Sequence, residues 1–180
     1  MAKGITQAHM NTLEEVLASL KSLATPAIIT IDGPAGAGKT TLAEILKSEL
    51  RQIKVSVEII HMDDLYDGWV NALGSKLARA LEDIVAQNES KEIIHPIYNW
   101  VEGKYTRVRS IPKPQVLILE GVGAGRSEIR EKVDLSIWVE IEPELGIRRA
   151  IERDGDEIAP YMPKWSENQS HHFAEHHTLE

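Results

Sequence analysis

The chain has 180 residues, 28 acidic and 20 basic, for a formal net charge of −8 and a pI of about 5.4. That length suits one domain with a full core, and the acidic balance argues against nucleic acid as a bulk-charge partner. With 42% apolar and 27% charged residues and no cysteine, the composition excludes a wholly disordered chain, disulfides, thiolate metal sites and cysteine nucleophiles.

Leu13, Val16, Leu17, Leu20 and Leu23 recur at helical spacing, so residues 7–23 read as an amphipathic helix. Its glutamates Glu14 and Glu15 speak against a signal peptide. After Pro26, residues 27–31 form a short β-branched run that reads as a buried strand. A glycine-rich turn over 33–38 leads into a helix carrying Leu42, Ile45, Leu46 and Leu50. Val55, Val57, Ile59 and Ile60 make a second strand, ending at His61-Met62-Asp63-Asp64. Residues 68–88 read as one long helix, with Gly74 as its weak point. The stretch 92–111 is irregular or hairpin-like.

Val116–Leu119 is the most apolar run, followed by Gly121, Gly123 and Gly125 as a mobile loop. Leu135–Ile141 is a fourth strand, and Pro143 opens a helix reaching about Arg153. A short helix closes the chain within 163–178, and Leu179-Glu180 is set aside as a cloning remnant. No apolar run reaches the roughly 18–20 residues of a membrane span. The expectation is one soluble, cytoplasmic domain over 1–180 with no membrane partner. Strands alternating with helices imply an α/β fold of three layers, a parallel sheet with helices on both faces. Ligands gather at the carboxyl ends of such strands.

Gly33-Pro34-Ala35-Gly36-Ala37-Gly38-Lys39-Thr40 matches G-x-x-x-x-G-K-[ST] in full, between a strand and a helix. Glycines let such a loop wrap phosphate oxygens, and the following helix adds its positive end. The expected ATP contacts are Gly33, Ala35, Gly36, Ala37, Gly38, Lys39, Thr40 and Thr41. Lys39 serves the β- and γ-phosphates and Thr40 serves Mg²⁺. N-K-x-D, the base-reading motif of GTPases, is absent. Glu120, ending the apolar strand, either contacts Mg²⁺ or is a loop carboxylate. A carboxylate after the second strand can take the proton from an acceptor hydroxyl. Asp63 and its neighbour Asp64 both stand there, Asp63 with Mg²⁺ as a further partner.

His61-Met62-Asp63-Asp64-Leu65-Tyr66 resembles the Asp-Ser-Phe-Tyr stretch of the uridine kinase family of P-loop small-molecule kinases. That resemblance puts Asp63 in the general-base position and Tyr66 on the substrate side. Ile97-Tyr98-Asn99-Trp100 resembles the family's Tyr-Asp-Phe stretch, which lines the nucleoside pocket, and Glu120-Gly121 resembles its Glu-Gly. Residues 133–139, followed by Arg148, Arg149, Arg153 and Asp154, resemble its last strand and arginine-bearing helix.

The resemblance spans about 27–154 and extends to pantothenate kinase and phosphoribulokinase. It implies ATP and Mg²⁺ as cofactors, catalytic roles for Arg149 and Arg153, and a lid over 149–162. It also implies a small-molecule acceptor bound by Tyr66, Tyr98, Trp100 and Glu120, first among them a pyrimidine nucleoside. Departures are the Asp32-Gly33-Pro34-Ala35 entry, closer to cytidylate kinases, and Asn99 in place of the family aspartate. A third is the missing base-contact histidine near Gly103.

Trp69, Tyr98 and Trp100 fit substrate stacking or plain core packing. His171, His172, His176 and His177 offer zinc-compatible pairs without a third ligand. The open alternatives are a kinase for another acceptor, a non-catalytic ATP-binding regulatory module, and a slow ATPase. The first helix could also serve a homodimer.

Overall fold

The computed structural model describes residues 10–178, so residues 7–9 of the expected first helix and Leu179-Glu180 lie outside the described residues. Helix α1 runs over Met10–Ser22, followed by strand β1 at Ala27–Asp32 and helix α2 at Lys39–Gln52. Strand β2, Val57–His61, leads into two single turns, α3 at Met62–Leu65 and α4 at Gly68–Asn71, and then α5 at Ser75–Ala86. Strands β3 (Glu92–Asn99) and β4 (Lys104–Pro112) precede β5 at Val116–Glu120 and β6 at Leu135–Trp138. Helices α6 (Pro143–Asp154) and α7 (Met162–Glu175) close the order.

The sheet has four strands in the order β2-β5-β1-β6, every neighbouring pair parallel. All residues of β1 and β5 are buried, as expected for strands covered on both faces. Strand alternation divides the core. Ile29, Ile31, Ile59, Ile118 and Ile137 pack with Val16 and Leu20 of α1 and Leu46 and Leu50 of α2. Ile28, Ile60, Leu117 and Leu119 face the other way, against Leu77 and Leu81 of α5, Ile93 and Ile111 of the hairpin, and Trp165 of α7. The result is the expected three-layer α/β fold.

Three local expectations change, and of the two readings of 92–111 the hairpin is the one realised. The long helix over 68–88 is broken, because Gly74 takes an extended conformation and caps α5 instead of continuing α4. Arg126 Nη1 donates to the Leu73 carbonyl at 2.9 Å, satisfying backbone that the break exposes. Residues 92–111 form a regular antiparallel hairpin with one irregularity between Ile97 and Tyr98. Strand β6 stops at Trp138 because its partner β1 ends at Asp32, although Val139 N–H still donates to Asp32 O at 2.8 Å. The glycine-rich loop after β5 is pinned rather than free: Gly121 N–H donates to Ile31 O at 3.1 Å. Gly123 and Gly125 donate to the Asp32 carboxylate.

Helix α6 starts at Pro143, as expected, and the Glu142 side chain caps it by accepting from Glu144 and Leu145 N–H. The expected lid, 149–162, comprises the end of α6 and a short 3₁₀ turn at Asp156–Tyr161. His172 and His176 are buried, with His176 Nδ1 2.8 Å from Ser127 Oγ. None of the helices formed by the described residues is long and apolar enough to cross a membrane.

Candidate active site

The carboxyl ends of β1, β2 and β5 open into a cavity of about 1450 Å³ whose walls include Ala35, Gly36 and residues 38–41 of the phosphate loop, but not the expected Gly33 and Ala37, together with Asp63, Glu120, Trp69, Trp100, Arg149 and Arg153. The loop is pressed against the rest of the fold. At Gly33, φ is +142°, and a Cβ would lie 2.1 Å from the Val139 carbonyl oxygen. At Gly36, φ is +74°, and a Cβ would lie 2.0 Å from the Gly146 carbonyl oxygen. Only glycine fits either place.

The first internal bond of α2 runs from Leu42 N–H to Gly38 O at 3.0 Å. The preceding amides of residues 38–41 are therefore the helix's unsatisfied donors, aimed where an anion binds. Three of the expected loop contacts are already engaged within the protein, the first being Gly33, whose N–H donates to Asp32 Oδ1 at 2.7 Å. Ala35 N–H donates to Gln169 Oε1 at 3.1 Å, and Ala37 N–H donates to Pro34 O at 3.2 Å.

Lys39 is folded onto its own loop, donating to Gly33 O at 2.8 Å and Pro34 O at 2.7 Å. Burial lowers its pKa, while the charges of Asp32, Glu120 and Asp63 push it back up. Thr40 Oγ1 donates to Glu120 Oε1 at 3.0 Å. The same carboxylate oxygen pairs with His61 Nδ1, and that bond raises the histidine pKa against its partial burial. Asp63 reaches the open part of the cleft but is surrounded by protein. Desolvation, reinforced by the charge of Glu120, raises its carboxyl above the ordinary range.

Arg149 and Arg153 both line the cavity; Arg148 does not. Arg153 forms a bidentate pair with Asp154, at 2.6 and 2.5 Å, which raises its already high pKa.

The aromatic residues sort differently from expectation. Trp100 lines the cleft and donates from Nε1 to the Asp63 carbonyl at 3.0 Å. Tyr98 lies outside the cavity lining and packs edge-on against Trp100 and Tyr105, so it supports the wall rather than forming it. Tyr66 touches the cavity yet is only 2% exposed, and its hydroxyl donates to Val122 O at 2.8 Å. Trp69 stacks on Tyr161 with centroids 5.0 Å apart and rings 5° from parallel. Asn99 is consumed in the hairpin turn, accepting from Val101 and Glu102 N–H and donating to Glu102 Oε1.

Comparison with known proteins agrees with this architecture. The phosphoribulokinase/uridine kinase family profile matches residues 72–158. Uridine-cytidine kinase C of Dictyostelium discoideum is 28% identical over 128 residues, covering 66% of this chain and 28% of its own. The uridine kinase of Leuconostoc citreum is 25% identical over 149 residues, covering 73% of this chain and 70% of its own. The chain is similar to the uridine kinase-like P-loop kinases over these stretches. A solved structure described as a possible uridine kinase from Bacillus stearothermophilus shares the fold, with a TM-score of 0.62, 21% identity and coverage of 86% and 91%. The chain spans well under a third of the Dictyostelium relative's length.

Sequence reasoning gave no role to Asp32, Gln169, His61, Tyr161 and Trp165. His61 was findable, since it ends β2 two residues before Asp63. Gln169, Tyr161 and Trp165 come from a polar tail whose return to the loop only the fold reveals.

Proposed function

We propose that the chain is an ATP-dependent phosphotransferase that moves the γ-phosphoryl group to a hydroxyl of a small molecule, with a pyrimidine nucleoside as first acceptor. The observation that carries this reading is Asp63. It is a carboxylate of raised basicity sharing one cleft with a complete phosphate loop and Lys39.

The unsatisfied amides at the start of α2 fit a polyphosphate, and Lys39 exchanges two loop carbonyls for phosphate oxygens when one binds. The Thr40 hydroxyl and Glu120 carboxylate, already 3.0 Å apart, would hold Mg²⁺ together with Asp63. No group of three or more His, Cys, Asp or Glu side chains placed to hold a metal ion occurs among the described residues. Thr40, Glu120 and Asp63 would therefore share such an ion with phosphate oxygens, as is common for Mg²⁺. ATP supplies the transferable phosphoryl group. Asp63 accepts the hydroxyl proton as the acceptor oxygen attacks the γ-phosphorus and ADP leaves. Arg149, which has no ion pair among the described residues, and Arg153 line the same cavity and would stabilise the charge that spreads over the phosphoryl oxygens. The 149–162 segment borders the same cavity through Glu157, Ile158 and Tyr161, where closure would exclude water as a competing acceptor.

The test is Mg·ATP turnover, read as ADP release, against a panel from uridine and cytidine through other nucleosides to pantothenate and sugars. Stimulation by one compound, lost by about 10²–10⁴-fold in Asp63→Asn with ATP binding retained, is the expected result. ATP binding with no stimulation by any acceptor would favour a regulatory module instead.

A further inference from the structure

Asp32, the last residue of β1, is 2% exposed, and backbone amides of two separate loops donate to its carboxylate. Its Oδ1 accepts from Gly33 N–H at 2.7 Å and from Gly123 N–H at 3.1 Å, while Oδ2 accepts from Gly125 N–H at 2.8 Å. Gly33 opens the phosphate loop. Gly123 and Gly125 belong to the segment that follows Glu120. A Cβ on Gly125 would sit 3.2 Å from Asp32 Oδ2, so glycine there lets the amide come within bonding range.

Between those two glycines and Glu120 lies Val122, whose carbonyl accepts the Tyr66 hydroxyl at 2.8 Å. Tyr66 packs edge-on against Trp100, which forms part of the cavity wall, at 6.3 Å between centroids. A continuous set of contacts thus runs from the phosphate loop through Asp32 to the loop after β5, and on to the aromatic wall beside Asp63. A carboxylate is an expensive choice for this place. Burial works against its charge, and three amides with the nearby Lys39 charge offset only part of that cost. An expensive buried charge with both oxygens hydrogen-bonded to two loops is the kind of element that fixes those loops in one relative position.

We infer that Asp32 is a positioning residue that couples occupancy of the phosphate loop to the 121–125 loop and thereby to the acceptor-side wall. The inference rests on the kinase reading. It adds that nucleotide binding is felt at Gly123 and Gly125, which do not line the cavity themselves.

The chain has 12 glycines, so selective ¹⁵N-glycine labelling gives a sparse spectrum in which each loop is read separately. Mg·ADP is the probe. In the wild-type chain it is expected to shift Gly36 and Gly38 directly, and Gly123 and Gly125 through Asp32. In Asp32→Asn, whose amide presents an N–H where one carboxylate oxygen stood, Gly36 and Gly38 are expected to keep their shifts while Gly123 and Gly125 lose theirs. A role confined to holding the fold would not separate the two pairs.

Equal responses at Gly123 and Gly125 in both proteins would overturn the coupling. So would wild-type shifts confined to Gly36 and Gly38, a result that needs no variant to fold. If no glycine of the wild-type chain responds to Mg·ADP, the nucleotide-binding reading fails first and the coupling with it.

Discussion

Thr40 Oγ1 donates to Glu120 Oε1 at 3.0 Å, and the same oxygen holds His61 Nδ1, so the start of α2 and the ends of β5 and β2 converge on one carboxylate. If that carboxylate orients Thr40 for Mg²⁺, removing its charge weakens the metal more than the nucleotide. Glu120→Gln is therefore expected to raise the Mg²⁺ concentration for half-maximal turnover by about 10–100-fold. A titration of turnover with Mg²⁺ at saturating ATP checks this, and an unchanged midpoint would remove Glu120 from the metal site.

Two glycines with positive φ separate steric from conformational cost. Gly155, at φ +96°, has nothing within 4 Å of a built Cβ, whereas the Cβ of Gly36 would lie 2.0 Å from a backbone oxygen. Gly155, at φ 96° and ψ 166°, sits in a backbone region that only glycine adopts readily, so Gly155→Ala costs about 1–3 kcal/mol from conformation alone. Gly36→Ala must also displace α6 from the loop, so it is expected to abolish nucleotide binding and to lower the melting temperature further. Thermal melts with and without Mg·ADP distinguish the two, and nucleotide protection should survive only in Gly155→Ala.

The parallel sheet was legible because β1 and β5 are unbroken apolar runs ending in glycine-rich or acidic sequence, and the phosphate loop was legible as a motif. The break at Gly74 was foreshadowed by the residue itself but settled by tertiary contacts, chiefly Arg126 reaching back to Leu73 O. Tyr98 and Trp100 looked equivalent in sequence. They are two residues apart on a hairpin end that twists into a turn, and only Trp100 lines the cleft. The loop at 121–125 looked mobile because its glycines are local signals, whereas its anchor, Asp32, is distant in sequence.

The resemblance puts Tyr66 on the substrate side, yet its hydroxyl is spent on Val122 O, and burial raises its pKa well above the usual range. Tyr66→Phe leaves that carbonyl without its partner, a loss of about 1–3 kcal/mol in stability. Because the ring is retained, KM for the acceptor is expected to change little. A large rise in KM at unchanged stability would show that the hydroxyl reaches the substrate instead.

Two buried groups make acid act in opposite directions on stability. Burial holds the Asp32 carboxyl up at about 6 against an ordinary 3.8, so the native state binds a proton before the unfolded chain does. Its contribution therefore falls as pH rises from 3.8 through about 6, and returns, by about 3 kcal/mol, when pH drops through that window. His172 is 3% exposed, and burial, aided by the charges of His176 and Arg126, holds its pKa down at about 3. The unfolded histidine takes a proton near 6.5 while the native one does not, so stability drains away as pH falls from 6.5 towards 3. By pH 4.5 that loss is about 3 kcal/mol. Urea melts at pH 7 and pH 4.5 separate the two. Relative to wild type, His172→Gln should lose less stability on acidification, and Asp32→Asn should lose more. Identical acid responses in all three proteins would show that neither side chain is held in its buried, shifted state.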